Sequence, residues 1–133
     1  MPIASYKVWD GKDKGYKLTA AVTKFRAVKL STAADSTVSP VAAAADDVFG
    51  VAQNSVSSGE QASGFGVTVA TGGITEMEAG IAVAIGDNIV IDSAGRGVPV
   101  GTASAGTQVI GVALAAASGV GKRFALQLSD TAR

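Results

Sequence analysis

At 133 residues the chain is long enough for one modest domain, and eleven basic side chains against eleven acidic ones leave no net charge, a balance that argues against nucleic acid as the main ligand. With neither Cys nor His, disulfides, thiol nucleophiles and His-centred zinc or acid–base sites are excluded, while carboxylate-only metal sites remain open. Of the 47% apolar residues 25 are Ala, against four Phe, two Tyr and one Trp, and a further 17 residues are Gly, so an isolated monomer has a thin core and a partner surface is expected.

No basic stretch leads into an apolar run at the N-terminus, so no signal peptide is expected, and Ile81 to Ile85 is too short to span a bilayer. Residues 1–27 stand apart, with eight charges, both Tyr and the Trp. Tyr6 to Trp9 alternates as a short strand, Asp10-Gly11 signals a turn and Tyr16 to Thr19 reads as a second strand. The segment is therefore an ordinary surface hairpin, or an arm that docks on a neighbour through Tyr6, Trp9 and Tyr16 with Lys7 and Lys12 as rim charges.

Phe25 to Leu30 alternates as a strand with one partly wet face. Ser31 to Pro40 reads as an exposed loop and Val41 to Ala45 as one helical turn. Asp46-Asp47 precedes the short buried strand Val48 to Ala52; adjacent carboxylates raise the question of calcium, but a solvated turn is the better reading. Gln53 to Gly59 is turn-like, with Gly59 a candidate for positive φ. Gln61 to Thr71 is expected as a strand burying Phe65, Val67 and Val69 on one face.

Glu76 and Glu78 share a strand face, while Ile74 and Met77 differ in parity, which calls for a turn or bulge between them. Their spacing resembles a glycosidase carboxylate pair, but the chain has almost no aromatics downstream of residue 65 to serve as sugar platforms, so a solvated face is preferred. Asn88 to Ile91 is a compact apolar strand, and Asp92 to Gly97 is a hairpin-like turn. Val98 to Val100 is extended, with Pro99 marking an edge or terminus. Gly101 to Thr107 is loop, Gln108 to Leu114 strand and Ala115 to Lys122 loop. Arg123 to Leu128 is the clearest amphipathic strand in the chain.

Gly-x-Gly occurs at Gly64, Gly95 and Gly119, but none runs into a nucleotide-binding pattern, and the glycines are assigned to turns. No catalytic, cofactor-binding or metal-binding residues are assigned. The composition of short strands and turns points to an all-β fold, a compact β-barrel or β-sandwich-like domain with an extended N-terminal arm. Gly50-Val51-Ala52 returns 61 residues later as Gly111-Val112-Ala113, and at that offset Leu30 falls on Ile91 and Ser31–Asp35 on Asp92–Arg96. Either one strand-loop-strand unit is duplicated, or two short strands share a common tripeptide. The domain reading is an arm or hairpin at 1–27 and a β-rich domain at 28–133, the duplication placing pseudo-repeated halves at 28–62 and 89–123.

An ordered series of motifs carries a family resemblance over about residues 30–128: Phe49-Gly50-Val51-Ala52-Gln53-Asn54, Val56-Ser57-Ser58-Gly59-Glu60, Gly73-Ile74-Thr75-Glu76, Gly86-Asp87, Asp92-Ser93-Ala94-Gly95-Arg96 and Ile110-Gly111-Val112-Ala113-Leu114. Together they resemble the capsid cement, or head decoration, family of tailed bacteriophages. The resemblance implies a non-enzymatic protein without cofactor, made in the host cytoplasm and placed on the outer surface of the capsid. It would bridge neighbouring major capsid proteins as a homo-oligomer, commonly a trimer and in some phages a dimer, touching neither nucleic acid nor membrane. The N-terminal segment would reach onto the shell or an adjacent protomer, although residues 1–27 depart from the family pattern in being more charged and aromatic. The alternatives are another β-rich virion protein, such as a head fibre base, tail component or receptor-binding spike, and an enzyme or carbohydrate-binding module.

Overall fold

A computed structural model describes residues 13–129. The first half contributes β1 (Asp13–Leu18), β2 (Ala27–Leu30), β3 (Thr37–Pro40), β4 (Gly50–Ala52), the short helix α1 (Ser58–Ala62) and β5 (Val67–Ala70). These strands form a closed barrel in the order β1-β3-β2-β4-β5. The second half contributes β6 (Ile74–Glu78), β7 (Asn88–Ile91), β8 (Gly97–Pro99), β9 (Gly111–Ala113) and β10 (Arg123–Leu128). Their sheet order is β6-β10-β9-β7-β8, the same cyclic order with the seam between β6 and β8 reduced to one parallel bridge, Ala79 to Gly97.

The pairing recurs at the offset of 61. Ala27–Val51 and Val28–Gly50 in the first half match Asn88–Val112 and Ile89–Gly111 in the second. The bridge Val22–Val56 matches Val83–Ala117, each closed by two reciprocal backbone hydrogen bonds of 2.9 to 3.0 Å. Inward side chains correspond as well. Val22, Val28, Ala52 and Val56 fill the first barrel, and Val83, Ile89, Ala113 and Ala117 fill the second. A left-handed backbone position is also shared: Phe25 at φ 65° corresponds to Gly86 at φ 89°. A non-glycine residue there costs on the order of 1–3 kcal/mol, which surrounding contacts must offset.

The seams differ because one hairpin is shorter. Val28 faces Pro40 across twelve residues, whereas Ile89 faces Pro99 across ten. In the first barrel Lys17 N donates to Ser36 O at 2.9 Å, closing β1 onto β3. Their counterparts, Glu78 N and Gly95 O, do not meet. Glu78 N donates instead to Phe25 O, and Gly95 O accepts from Ala27 N, both at 2.8 Å. The Phe25–Ala27 segment of the first half thus fills the open seam of the second. Gly97 sits at the same seam because a Cβ there would come within 2.9 Å of Met77 Sδ and Phe124 Cζ.

Burial follows from this arrangement. Ala27, Val51 and Ala70, on the outer side of the first barrel, join one core cluster with the interior of the second, including Met77, Ile89, Phe124 and Leu126. Of residues 1–27, numbers 13–27 are built into the first barrel and its joint, and 1–12 lie outside the described residues.

Several local expectations are corrected. Thr37–Pro40 is a strand with Thr37 and Val38 buried, so Ser31–Pro40 is not all loop. Residues 41–45 form no helix; one turn closes through Asp46 N to Ala43 O at 3.1 Å, and the Asp46 carboxylate accepts from the Ala42 and Ala43 N–H groups at 2.8 and 3.0 Å. Gly59 lies inside α1, which a capping box starts: Ser57 Oγ accepts from Glu60 N while Glu60 Oε1 accepts from Ser57 N. That helix displaces the start of the next strand to Val67, leaving Phe65 57% exposed. β6 runs unbroken through Ile74–Glu78, with Thr75 and Met77 inward and Ile74 outward.

The shared core predicts that Leu126→Ala lowers unfolding stability by about 2–5 kcal/mol and that both barrels melt in a single transition by circular dichroism. Separate melting of an intact first barrel would contradict the shared cluster.

Candidate interaction surface

Of the aromatic and basic residues singled out as contacts, Tyr6, Lys7, Trp9 and Lys12 lie outside the described residues. Tyr16 is on β1 opposite Val67. Its ring packs edge-on to Phe49, with centroids 5.2 Å apart and planes at 81°, a favourable aromatic geometry. Partial burial there raises the Tyr16 hydroxyl above its usual pKa. Part of the ring is thus committed to the first barrel's core.

Four of the described carboxylates are tied into ion pairs, Glu76, Glu78, Asp46 and Asp92. Glu78, beside the joint, receives Arg26 Nε at 2.9 Å and Arg26 Nη2 at 3.3 Å. Glu76 faces Arg123 at 3.7 Å in an exposed pair, and the Arg123 guanidinium lies 4.7 Å from the centre of the Phe25 ring. These contacts converge on Phe25 and hold its left-handed backbone in the seam. Asp92 accepts from the Ala94 and Arg96 backbone and from Arg96 Nε, shaping the hairpin turn.

A groove of about 320 Å³ lies between loops 44–47 and 104–108, bordered by Asp46, Asp47, Ser104 and Gln108. These loops are counterparts at nearly the repeat offset. Gln108 Oε1 accepts from Val48 N at 2.8 Å, linking the two halves. Asp46, on the groove wall, accepts at Oδ2 from two backbone N–H groups and from Lys29 Nζ at 3.2 Å. Those hydrogen bonds hold its carboxyl below the ordinary aspartate range. Among the described residues no group of three or more acidic side chains could hold a metal ion. Nor is any helix there long and apolar enough to cross a membrane.

What the geometry offers instead is surface. Ile74, Val112, Leu114, Ile85 and Val100 are exposed on the second half. The strand registers place Ile74 opposite Gln127, Gln127 opposite Val112 and Val112 opposite Asn88, one row across four strands. Sequence reasoning did not single out this row, since Ile74 and Val112 look like core residues until the pairing shows which way they point.

The phage cement protein family matches residues 10–128. No curated protein matches the chain. Among solved structures, the crystal structure of the head fiber gp8.5 N base of bacteriophage phi29 is similar, with a TM-score of 0.65 and 22% identity over 91% of this chain and 96% of that one. At that identity the likeness is one of fold.

The lowered Asp46 pKa has a defined pH consequence. A carboxyl depressed in the folded state stabilises fully above its unfolded value near 3.9, and that contribution disappears as pH falls through the folded value. Asp46→Asn should therefore melt lower than wild type at pH 7 and lose less further stability between about pH 5 and pH 2. Parallel pH–melting curves for the two proteins would contradict the assignment.

Proposed function

The chain belongs to the phage cement protein family, and on that footing we propose that it is a capsid cement protein, binding the outside of a tailed-phage head and joining neighbouring major capsid proteins. Membership makes it a structural component of a phage virion and not an enzyme. The family match over almost the whole chain is the observation that carries the finer reading.

The physics suits the task. A protein that binds the assembled, expanded shell and not free subunits shifts the equilibrium toward that shell. Contacts repeated over a lattice add by avidity, so none needs to be strong alone. Two barrels locked through one core make a rigid bracket, which loses little conformational freedom on docking. A chain without net charge opposes neither an acidic nor a basic surface.

Contact with the shell or an adjacent protomer is assigned to Tyr6, Lys7, Trp9 and Lys12, with the part of Tyr16 on β1 that is not packed against Phe49. The working form is a homo-oligomer, a trimer in preference to a dimer. A second reading, the base of a head fibre, draws on the fold likeness to the phi29 head fiber base.

Cryo-electron microscopy of heads with and without the protein separates the two. Cement predicts density over capsomer junctions and earlier rupture of heads that lack it; a fibre base predicts density at fewer positions, each carrying a projection. Tyr6→Ala combined with Trp9→Ala should weaken co-sedimentation with depleted heads by tenfold or more, as expected for interfacial aromatic anchors. Undiminished binding would remove the N-terminal segment from the contact.

A further inference from the structure

We propose that Phe65, set beside Lys17 by the helix α1, is an anchor through which this molecule grips another protein of the virion, on a segment that carries a carboxylate next to an apolar side chain. The argument comes from comparing one connection in its two copies. In the second half the chain passes from Ala117, which pairs with Val83, to the left-handed Gly121 at φ 83° in four residues. Gly121 N then donates to Ala79 O at 2.9 Å. In the first half the same passage, from Val56 paired with Val22 to the left-handed Gly64 at φ 93°, takes eight residues. The extra length builds α1. Leu18 O, the counterpart of Ala79 O, accepts instead from the side-chain amide of Gln61 at 3.0 Å.

This insertion adds nothing to the core. No residue of α1 is buried, and the second barrel makes the same connection without it. The inserted turn is nevertheless ordered at both ends: a capping box fixes its start, Gln61 ties it to β1, and Phe65 N donates to Glu60 O at 3.0 Å. What the ordering yields is a large aromatic side chain, 57% exposed, at the site after the left-handed glycine where the second half has Lys122. An insertion in one copy of a repeated unit often marks a binding face. A ring already held in place also loses little freedom on contact.

The surroundings of the ring select the partner. A pocket of about 200 Å³ is lined by Phe65, Leu18, Gln61, Gly64 and Lys17. Lys17 is the charged member of that set; it is exposed and belongs to none of the four ion pairs among the described residues. Glu60, the acid nearest to Phe65 in the sequence, turns its carboxylate back to Ser57 N. An acidic group beside an apolar one complements both features, the first at the Lys17 ammonium and the second at the ring. Two copies meeting by this same face would set Lys17 against Lys17, which favours a different protein as the occupant, and a structural protein of a phage virion meets such partners in the particle.

This inference rests on the virion role and not on the cement reading, so the two fail separately. A photoreactive phenylalanine analogue in place of Phe65 in the full chain, irradiated in assembled virions, should form an adduct with another virion protein, within a segment containing Asp or Glu. Phe65→Ala and Lys17→Glu should each lower retention on particles about tenfold. Exchanging residues 57–65 for the shorter sequence of 118–122 should do the same and leave the circular dichroism spectrum that of a β protein, since the second half closes in this way. Leu30→Ala, at an exposed apolar site on the same barrel, should leave retention unchanged. No adduct, an adduct only with a second copy of this chain, a partner segment without an acid, or undiminished retention of both single variants would each overturn the proposal. An adduct with a virion protein other than the major capsid protein would uphold it while overturning the cement reading.

Discussion

The short insertion of Phe25–Ala27 into the seam between β6 and the β7–β8 turn is the constraint on which the rest of the molecule depends. Two backbone hydrogen bonds of 2.8 Å, Glu78 N to Phe25 O and Ala27 N to Gly95 O, complete a sheet that its own strands leave nearly open. A seam of unpaired backbone groups invites pairing with another chain, and here the first half of the same chain supplies the pairing. The two barrels consequently share apolar residues, with Ala27 and Val51 clustered with Ile89 and Leu126. That sharing answers the thin-core problem posed by a chain rich in Ala and Gly, since neither half has to bury its side chains alone.

The joint also explains where the sparse charges sit. Arg26 and Glu78 form a two-point pair beside the inserted segment, and Arg123 lies over the Phe25 ring while facing Glu76. The partly buried Arg26–Glu78 pair acts more strongly than an isolated surface pair, whereas the Glu76–Arg123 pair is exposed. They hold Phe25 in a backbone conformation that its counterpart meets with Gly86. At that position the second half has a glycine's conformational freedom and the first has a ring with the Arg123 guanidinium 4.7 Å from its centre.

The two halves share register and inward side chains and differ in what covers their outer faces. The hairpin of the second half is two residues shorter, and there Gly95 O accepts from Ala27 N of the first half instead of closing onto β6. The corresponding outer row of the second barrel has Val112 where the first has Val51, but water where the first has protein. A structural protein of a phage virion acts through its surfaces and has no need of a cleft. That is consistent with carboxylates spent on turns and ion pairs.

Much of the local structure was legible in the chain. Arg123–Leu128 alternates strictly and forms β10 over the expected residues, and the glycine-rich stretch from Asp92 to Gly97 is a turn. Both follow from properties that a few residues carry by themselves, side-chain parity and turn chemistry. Phe65 was misread because parity continued past the end of a strand, and the Ser57-to-Glu60 capping box that starts α1 was the local signal that would have corrected it. Composition determined that chemistry based on Cys or His is closed to this protein, and the pattern of short alternating runs between turn residues pointed to strands. Which apolar residues would be buried was decided only by tertiary structure. Val51 and Val112 occupy the same Gly-Val-Ala tripeptide in the same pairing register, and no local feature distinguishes them. Burial depends on what lies across from a face, and here that was settled by the seam, through contacts between residues more than fifty positions apart.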